Sequence, residues 1–133
     1  MNELCVIGYP SRVGGADTEL DHQIHVWQAL GIKVHLIHTG PMDDSLKALR
    51  MENRGCVIHE PRNWEVCRNK HVISYCNGEF LANLKQIRSI AKTTTFVNCM
   101  CWLFDAEKEA HRQGWIDCFL YQTDHAQERV QGD

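Results

Sequence analysis

The chain has no strong excess of either charge. Of 133 residues, 14 are Lys or Arg and 17 are Asp or Glu, a formal net charge of -3. Residues 1–66 hold six basic against nine acidic side chains and residues 67–133 hold eight against eight, so neither half offers a polybasic arm or an acidic tail. Nucleic-acid binding driven by counterion release has no footprint here, and no nucleic-acid partner is expected. Apolar runs stop at strand length, short of the roughly 18 residues a membrane span needs, so no transmembrane segment is expected. The opening Met1-Asn2-Glu3-Leu4-Cys5 lacks a charged region followed by an apolar one. No secretory signal is expected on that ground, and the cytoplasm is the expected compartment. Linkers, low-complexity stretches and repeats are also missing, and the length suits one compact domain over residues 1–133.

The seven cysteines contain no Cys-x-x-Cys pair, the spacing a structural zinc site would use. Cys99-x-Cys101, Cys67 with His71, and Cys56 with His59 are the nearest approaches, and no metal or other cofactor is expected from them. Cys5, Cys56, Cys76, Cys99 and Cys118 each lie in or beside a short apolar run, where a free thiol acts as a small buried hydrophobe. The eight histidines are equally dispersed. His22 and His25 share one helical stretch and His35 and His38 one strand-like stretch, as surface or core-edge residues.

What is present is an alternation of short apolar runs with longer amphipathic stretches. Residues 4–7, 32–37, 56–58, 71–75, 94–97 and 118–121 read as strands. Several are nearly continuous in apolar character, as expected of parallel strands covered on both faces. Leu20, Ile24, Trp27 and Leu30 fall at helical spacing, with Gly31 as a stop. A second helix is expected over 43–51, where Asp43 and Asp44 favour the positive end. Asn77 is placed to cap a third, in which Phe80, Leu84, Ile87 and Ala91 form one stripe. Residues 105–113 predict a polar helix closed by Gly114, and Asp124 with Gln127 predicts a final turn. Residues 60–70 suit one helical turn or a loop. The expected architecture is a single doubly wound, mostly parallel α/β sheet with helices on both faces.

In such sheets ligands collect at the carboxyl ends of the strands, against helix N-termini. The loops after the first, fourth, fifth and sixth strands therefore carry the candidate site. The first of these, Tyr9-Pro10-Ser11-Arg12-Val13-Gly14-Gly15-Ala16-Asp17, holds two adjacent glycines that let a ligand approach the main chain. It matches neither the G-x-G-x-x-G dinucleotide fingerprint nor the phosphate loop ending in Lys and Ser or Thr. Nicotinamide and Walker-type nucleotide binding lose support.

The fuller pattern resembles the opening of the acceptor-side, N-terminal half of a GT-B glycosyltransferase. The resemblance rests on Cys5-Val6-Ile7-Gly8-Tyr9, the Gly14-Gly15-Ala16 turn, and a helix leaving through Leu30-Gly31-Ile32-Lys33-Val34. It continues through Val72-Ile73-Ser74-Tyr75-Cys76-Asn77-Gly78, Thr94-Thr95-Phe96-Val97-Asn98, and the strand Asp117-Cys118-Phe119-Leu120-Tyr121 followed by Gln127-Glu128-Arg129-Val130. It implies that Gly14 and Gly15 lie near the diphosphate of a sugar nucleotide, with Arg12 on the same loop. Asn77, Glu79, Asn98, Cys99 and Asp105 would sit where the acceptor is held.

Two departures from that family bear on activity. Many relatives carry a His at the end of the fourth or fifth strand, whereas these positions read Tyr75-Cys76-Asn77 and Asn98-Cys99-Met100, so no catalytic base is assigned. The donor-binding second domain of such enzymes is also expected to be absent, which leaves one wall of a cleft and no transfer by this chain alone. Its partners would then be a sugar nucleotide, an acceptor, and a donor-binding domain or a second copy of the chain. The triplet Trp102-Leu103-Phe104 is the candidate self-association surface. Two alternatives differ in class: a free-standing flavodoxin-like domain binding a small anion at Gly14-Gly15, and a cysteine hydrolase built on Cys76 or Cys99.

Overall fold

The computed structural model describes residues 3–8, 15–39, 55–98 and 103–121, the side chains of 15–19 and 21 excepted. Six strands form one sheet: β1 (Glu3–Gly8), β2 (Lys33–His38), β3 (Val57–His59), β4 (His71–Tyr75), β5 (Thr93–Asn98) and β6 (Cys118–Tyr121). Every pairing is parallel and the order is β3-β2-β1-β4-β5-β6. This is the Rossmann order, with the winding reversed between β1 and β4, rather than the 2-1-3-4-5 order of flavodoxin-like sheets. The expected mostly parallel sheet is wholly parallel. Each strand falls within a residue of its expected bounds.

Near-continuous apolar strands follow from burial on both faces. Val6, Val34 and Leu36 point to one face, where helix α1 (Gly15–Ala29) lays Leu20 and Ile24 over them. Cys5, Ile7, Ile37, Val72 and Phe96 point to the other. That face is covered by α2 (Gly78–Ala82), α3 (Leu84–Ile90) and α4 (Asp105–Gln113), through Phe80, Leu84, Ile87 and Ala110. Phe80 and Phe96 stack with ring centroids 6.0 Å apart. The close seating of α1 depends on Gly8, where a Cβ would come within 2.6 Å of Leu20 Cδ2. Gly114 ends α4 at φ 70°, a left-handed conformation that donates its N–H back to Ala110 and His111.

Two expectations need correction, and one open between alternatives is settled. The stripe Phe80, Leu84, Ile87 is buried as expected, but two helices carry it, broken at Asn83. Asn83 Nδ2 donates to the Glu79 carbonyl at 2.9 Å, a local bond that competes with helix continuation. Of the two forms expected for 60–70, the helical turn is present, as a 3-10 turn at Trp64–Cys67 that buries both its end residues against the sheet. Second, the apolar-run argument holds for Cys5 and Cys56, yet Cys76 is half-buried and Cys118 exposed, because Cys118 opens an edge strand with one neighbour. Cys67, outside any such run, is fully buried with Sγ 3.7 Å from Cys5 Sγ. The helix expected over 43–51 and the turn at Asp124 lie outside the described residues. Among the described residues no helix is long and apolar enough to cross a membrane.

Candidate functional site

Parallel strands deliver all their carboxyl ends to one edge, and reversed winding at β1 and β4 opens a crevice there. The chain turns tightly at this edge. Leaving β2, Thr39 donates its N–H to the last carbonyl of β1, at Gly8, over 2.9 Å. Leaving β4, Cys76 adopts φ 48°, unusual for a side chain with a Cβ, and donates its N–H to the Val97 carbonyl at 3.0 Å. Asn77 follows as the α2 N-cap. Its Oδ1 accepts from Phe80 N at 3.0 Å, and its Nδ2 donates to Thr39 Oγ1 at 2.9 Å.

Because β1 lies between β2 and β4, the Asn77–Thr39 bond spans the carboxyl end of β1. Asn77 is thus both a helix cap and a strap across the switch point. Ser74, the penultimate residue of β4 and in register with Ile7, is fully buried and its Oγ has no hydrogen-bond partner. A buried hydroxyl left unpaired costs folding free energy of about 1–3 kcal/mol and is uncommon.

A second polar cluster ends β5 and β6. Asn98 is the last residue of β5 and is fully buried, its Nδ2 donating to Glu107 Oε1 at 2.9 Å and Oε2 at 3.1 Å. Glu107, in the first turn of α4, is 1 % exposed and also accepts from Phe104 N at 3.3 Å. Burial raises its carboxyl above the ordinary range, against the opposing pull of the Asn98 and Phe104 hydrogen bonds. Tyr121 lies opposite Asn98 in register, and its hydroxyl is buried without a hydrogen-bond partner. Burial, and then the Glu107 charge, push the phenol upward. The sequence placed Asn98 in this region but missed Glu107, which reads as one carboxylate of a polar helix. Its signal is the spacing Phe104-x-x-Glu107, an N3 glutamate reaching back to the N-cap N–H.

The other candidates are distributed as follows. Gly15 is the first residue of α1, at the same carboxyl edge. Arg12, Gly14, Cys99 and Trp102 lie outside the described residues. Glu79 is half-buried in the first turn of α2, 3.8 Å from Arg62 Nη2, and Asp105 opens α4 exposed to solvent. Leu103 and Phe104 are half-buried, and Phe104 packs on the core. Among the described residues no group of three or more His, Cys, Asp or Glu side chains could hold a metal ion.

The histidines are less peripheral than their dispersal suggested. His38 ends β2 fully buried. His35 Nε2 meets Glu3 Oε1 at 3.0 Å and His35 Nδ1 meets His59 Nε2 at 3.0 Å, a carboxylate–imidazole–imidazole chain across β1, β2 and β3. The His35 hydrogen bond holds the Glu3 carboxyl below its ordinary range, and burial lowers His59. No sequence spacing marks this chain, because parallel register alone brings the three residues together.

Compared with models of known protein families, with curated proteins and with solved structures, the chain matches none.

Proposed function

We propose that the chain forms the acceptor-side wall of a sugar-nucleotide-dependent glycosyltransferase. The observation that carries this reading is the meeting, at one carboxyl edge, of the end of β1, the start of α1 at Gly15 and the Asn77-capped start of α2. The segment with Arg12, Gly14 and Gly15 joins β1 to α1 in sequence, so it belongs to the loop that serves phosphate in such sheets. Free N–H groups in the first turn of a helix favour an anion, and an Arg on the same loop supplies a bidentate donor. In this reading they receive the donor diphosphate, while the β4 and β5 ends hold the acceptor. Transfer takes place in a cleft closed by a donor-binding domain, so the 133-residue chain binds ligands without turning them over.

The flavodoxin-like alternative shares the anion-binding loop but finds no support in the strand order. Titration calorimetry against uridine, guanosine and adenosine diphosphate sugars tests the proposal. Binding of at least one is expected, with affinity reduced about tenfold or more by Arg12→Ala, the scale of a charge-assisted phosphate contact. Sugar transfer by the purified chain, or diphosphate affinity indifferent to Arg12→Ala, would overturn it.

A further inference from the structure

The two faces of the sheet differ in charge. Helices α2, α3 and α4 cover one face and present exposed Lys85, Asp105 and Arg112 to solvent. On the other face α1 lies over β1 and β2, and among the described residues no helix covers β4, β5 and β6. Side chains alternate along a strand, so this face takes the odd-numbered residues of β4 and β5 and the even-numbered residues of β6. None of these is Asp, Glu, Lys or Arg.

The second half of α1 extends the uncharged surface. Asp17, Glu19 and Asp21 all fall in its first two turns, and residues 22–32 hold no Asp, Glu, Lys or Arg. Leu30 follows Leu20, Ile24 and Trp27 at helical spacing, yet it is 72 % exposed, and Val26 is 47 % exposed. With Leu120, also 47 % exposed, these are the exposed large hydrophobic side chains of the described residues, and all three lie on the α1 side.

Between α1 and the strands runs an open cleft of about 340 Å³. Trp27 and Ile32 form its helix side, Leu4, Ile73 and Thr95 its floor, and His71 its amino end, with Nδ1 2.7 Å from Thr93 Oγ1. The charged groups at this end of the sheet are engaged on the opposite face. Glu3, at the rim, meets His35 Nε2 at 3.0 Å and Lys33 Nζ at 3.9 Å. Lys70 Nζ donates to the Val66 carbonyl at 2.8 Å, and Asp117 pairs with Arg88 at 3.2 Å.

A contiguous surface without charges and with exposed aliphatic side chains marks an interface, where charged residues are depleted. Its chemistry selects the partner. A charged surface finds nothing to pair with, whereas a second copy of the same face brings no like charge against it. Shape agrees, because the ridge of Val26 and Leu30 stands beside the cleft, and a two-fold axis lays the ridge of each copy in the cleft of the other. Little of the chain's remaining length suits this face. Residues 40–54 join β2 to β3, beyond β1 from β4, and residues 99–102 join β5 to a helix of the other face. Of residues 122–133 only Ala126 and Val130 are apolar.

We propose that this face is the interface of a weak homodimer, with α1 of each copy seated against β4 and β5 of the other. Three strands at about 4.8 Å spacing and a helix about 10 Å across make the patch about 25 Å wide, and four strand residues make it about 13 Å long, roughly 330 Å² per copy in projection. Stable interfaces bury about 800 Å² per partner, so the expected Kd is only about 50–500 µM. The dimer is independent of the glycosyltransferase reading, since the cleft lies at the amino edge and leaves the carboxyl edge open.

The test is sedimentation equilibrium of the full chain from about 5 µM to 1 mM, a range that brackets the expected Kd. A reducing agent keeps the exposed Cys118 from linking copies. The average mass is expected to climb towards twice that of the monomer, and dilution of the ¹⁵N-labelled chain should shift the amides of Val26, Leu30, Ile73 and Thr95 together. Leu30→Glu places a carboxylate in each apolar contact and should weaken association at least tenfold. At about 5 µM, where the parent is monomeric, the urea midpoints of the two proteins should coincide, because Leu30 is then exposed in both.

A mass that stays monomeric up to about 1 mM overturns the proposal, as does a dimer that Leu30→Glu leaves unchanged. A lower midpoint for Leu30→Glu at the low concentration would mean that the chain covers this face itself, which overturns it too. Dilution shifts confined to Leu103 and Phe104 would move the contact to the other side of the sheet and likewise refute it.

Discussion

Gly8→Ala tests whether the seating of α1 on the end of β1 sets the geometry of the carboxyl edge. Gly8 is not in the left-handed region, so alanine is acceptable to the backbone and the whole penalty comes from contact. The added Cβ would stand 2.6 Å from Leu20 Cδ2, whereas carbon atoms rest comfortably at about 3.5–4.0 Å. Leu20 is 1 % exposed and packed on Val6, Val34 and Leu36, so α1 or its leucine must retreat by about 1 Å. Overpacking of this kind costs about 1–3 kcal/mol, and replacing a strand glycine by alanine returns about 0.5–1 kcal/mol of backbone entropy. A net loss of about 0.5–2 kcal/mol is expected in urea unfolding, with an unchanged m value. The control is Leu20→Val, which shortens the obstructing side chain and by itself costs about 1–1.5 kcal/mol. In that background Gly8→Ala should cost close to nothing, a coupling of about 1 kcal/mol. If the two losses add to within about 0.5 kcal/mol, the contact is not what Gly8 is for and the reasoning fails.

Asn77→Ala should lose about 1–2 kcal/mol, the sum of an N-cap and one side-chain hydrogen bond, while Asn77→Asp keeps the cap and loses only the donor to Thr39. A urea series that ranks aspartate no better than alanine would refute the capping role. Phe80→Ala removes a fully buried ring stacked on Phe96 and should destabilise by about 3–5 kcal/mol, measured in the same way. The histidine chain predicts a pH dependence. Burial holds His59 below 6.5 in the folded state, so on acidification the unfolded chain takes the proton first. Stability from this group is present above pH 6.5 and is lost as pH falls from there through the lowered folded value. The urea midpoint of the parent should fall over that window relative to His59→Gln. Glu107, which is raised, contributes with the opposite sign at lower pH but is common to both proteins and cancels. Parallel midpoint curves for the two proteins would refute the assignment.

Strands were legible in the sequence because burial on both faces leaves uninterrupted apolar runs, and all six were found within a residue of their bounds. The helix over 105–113 was equally clear, since Gly114 stops it where a left-handed residue is needed. What periodicity does not encode is competition between a side chain and its own backbone. The Phe80–Leu84–Ile87 stripe persists across Asn83, so the break there is invisible to a hydrophobic pattern. Asn77 was legible as a cap because capping is local. Its second bond, to Thr39, joins residues 38 positions apart and depends on β1 lying between β2 and β4. The same limit hid Ser74 and the Glu3–His35–His59 chain, whose neighbours are set by register, whereas Glu107 had a local signal in its spacing from Phe104. Composition was a poor guide to the thiols at the sheet's margin, where Cys118 occupies an apolar run yet faces solvent.

The hydrogen-bonded series Glu3, His35, His59 has a consequence in the bookkeeping of protons. An ionised Glu3 can only accept, so His35 Nε2 must carry a hydrogen. When both rings are neutral, His35 Nδ1 is then an acceptor, His59 Nε2 is the donor, and His59 Nδ1 is left bare. Adding one proton gives either a cationic His35 donating to His59 or a cationic His59 donating to His35, and in both arrangements His59 Nδ1 bears a hydrogen. The outermost nitrogen of the series therefore inverts from acceptor to donor whichever ring holds the charge. A second added proton would set two N–H groups head to head between the rings, so the pair takes up one proton before its central bond must break. The short edge strand β3 thus ends in a group whose hydrogen-bonding polarity reports the protonation of residues well inside the sheet.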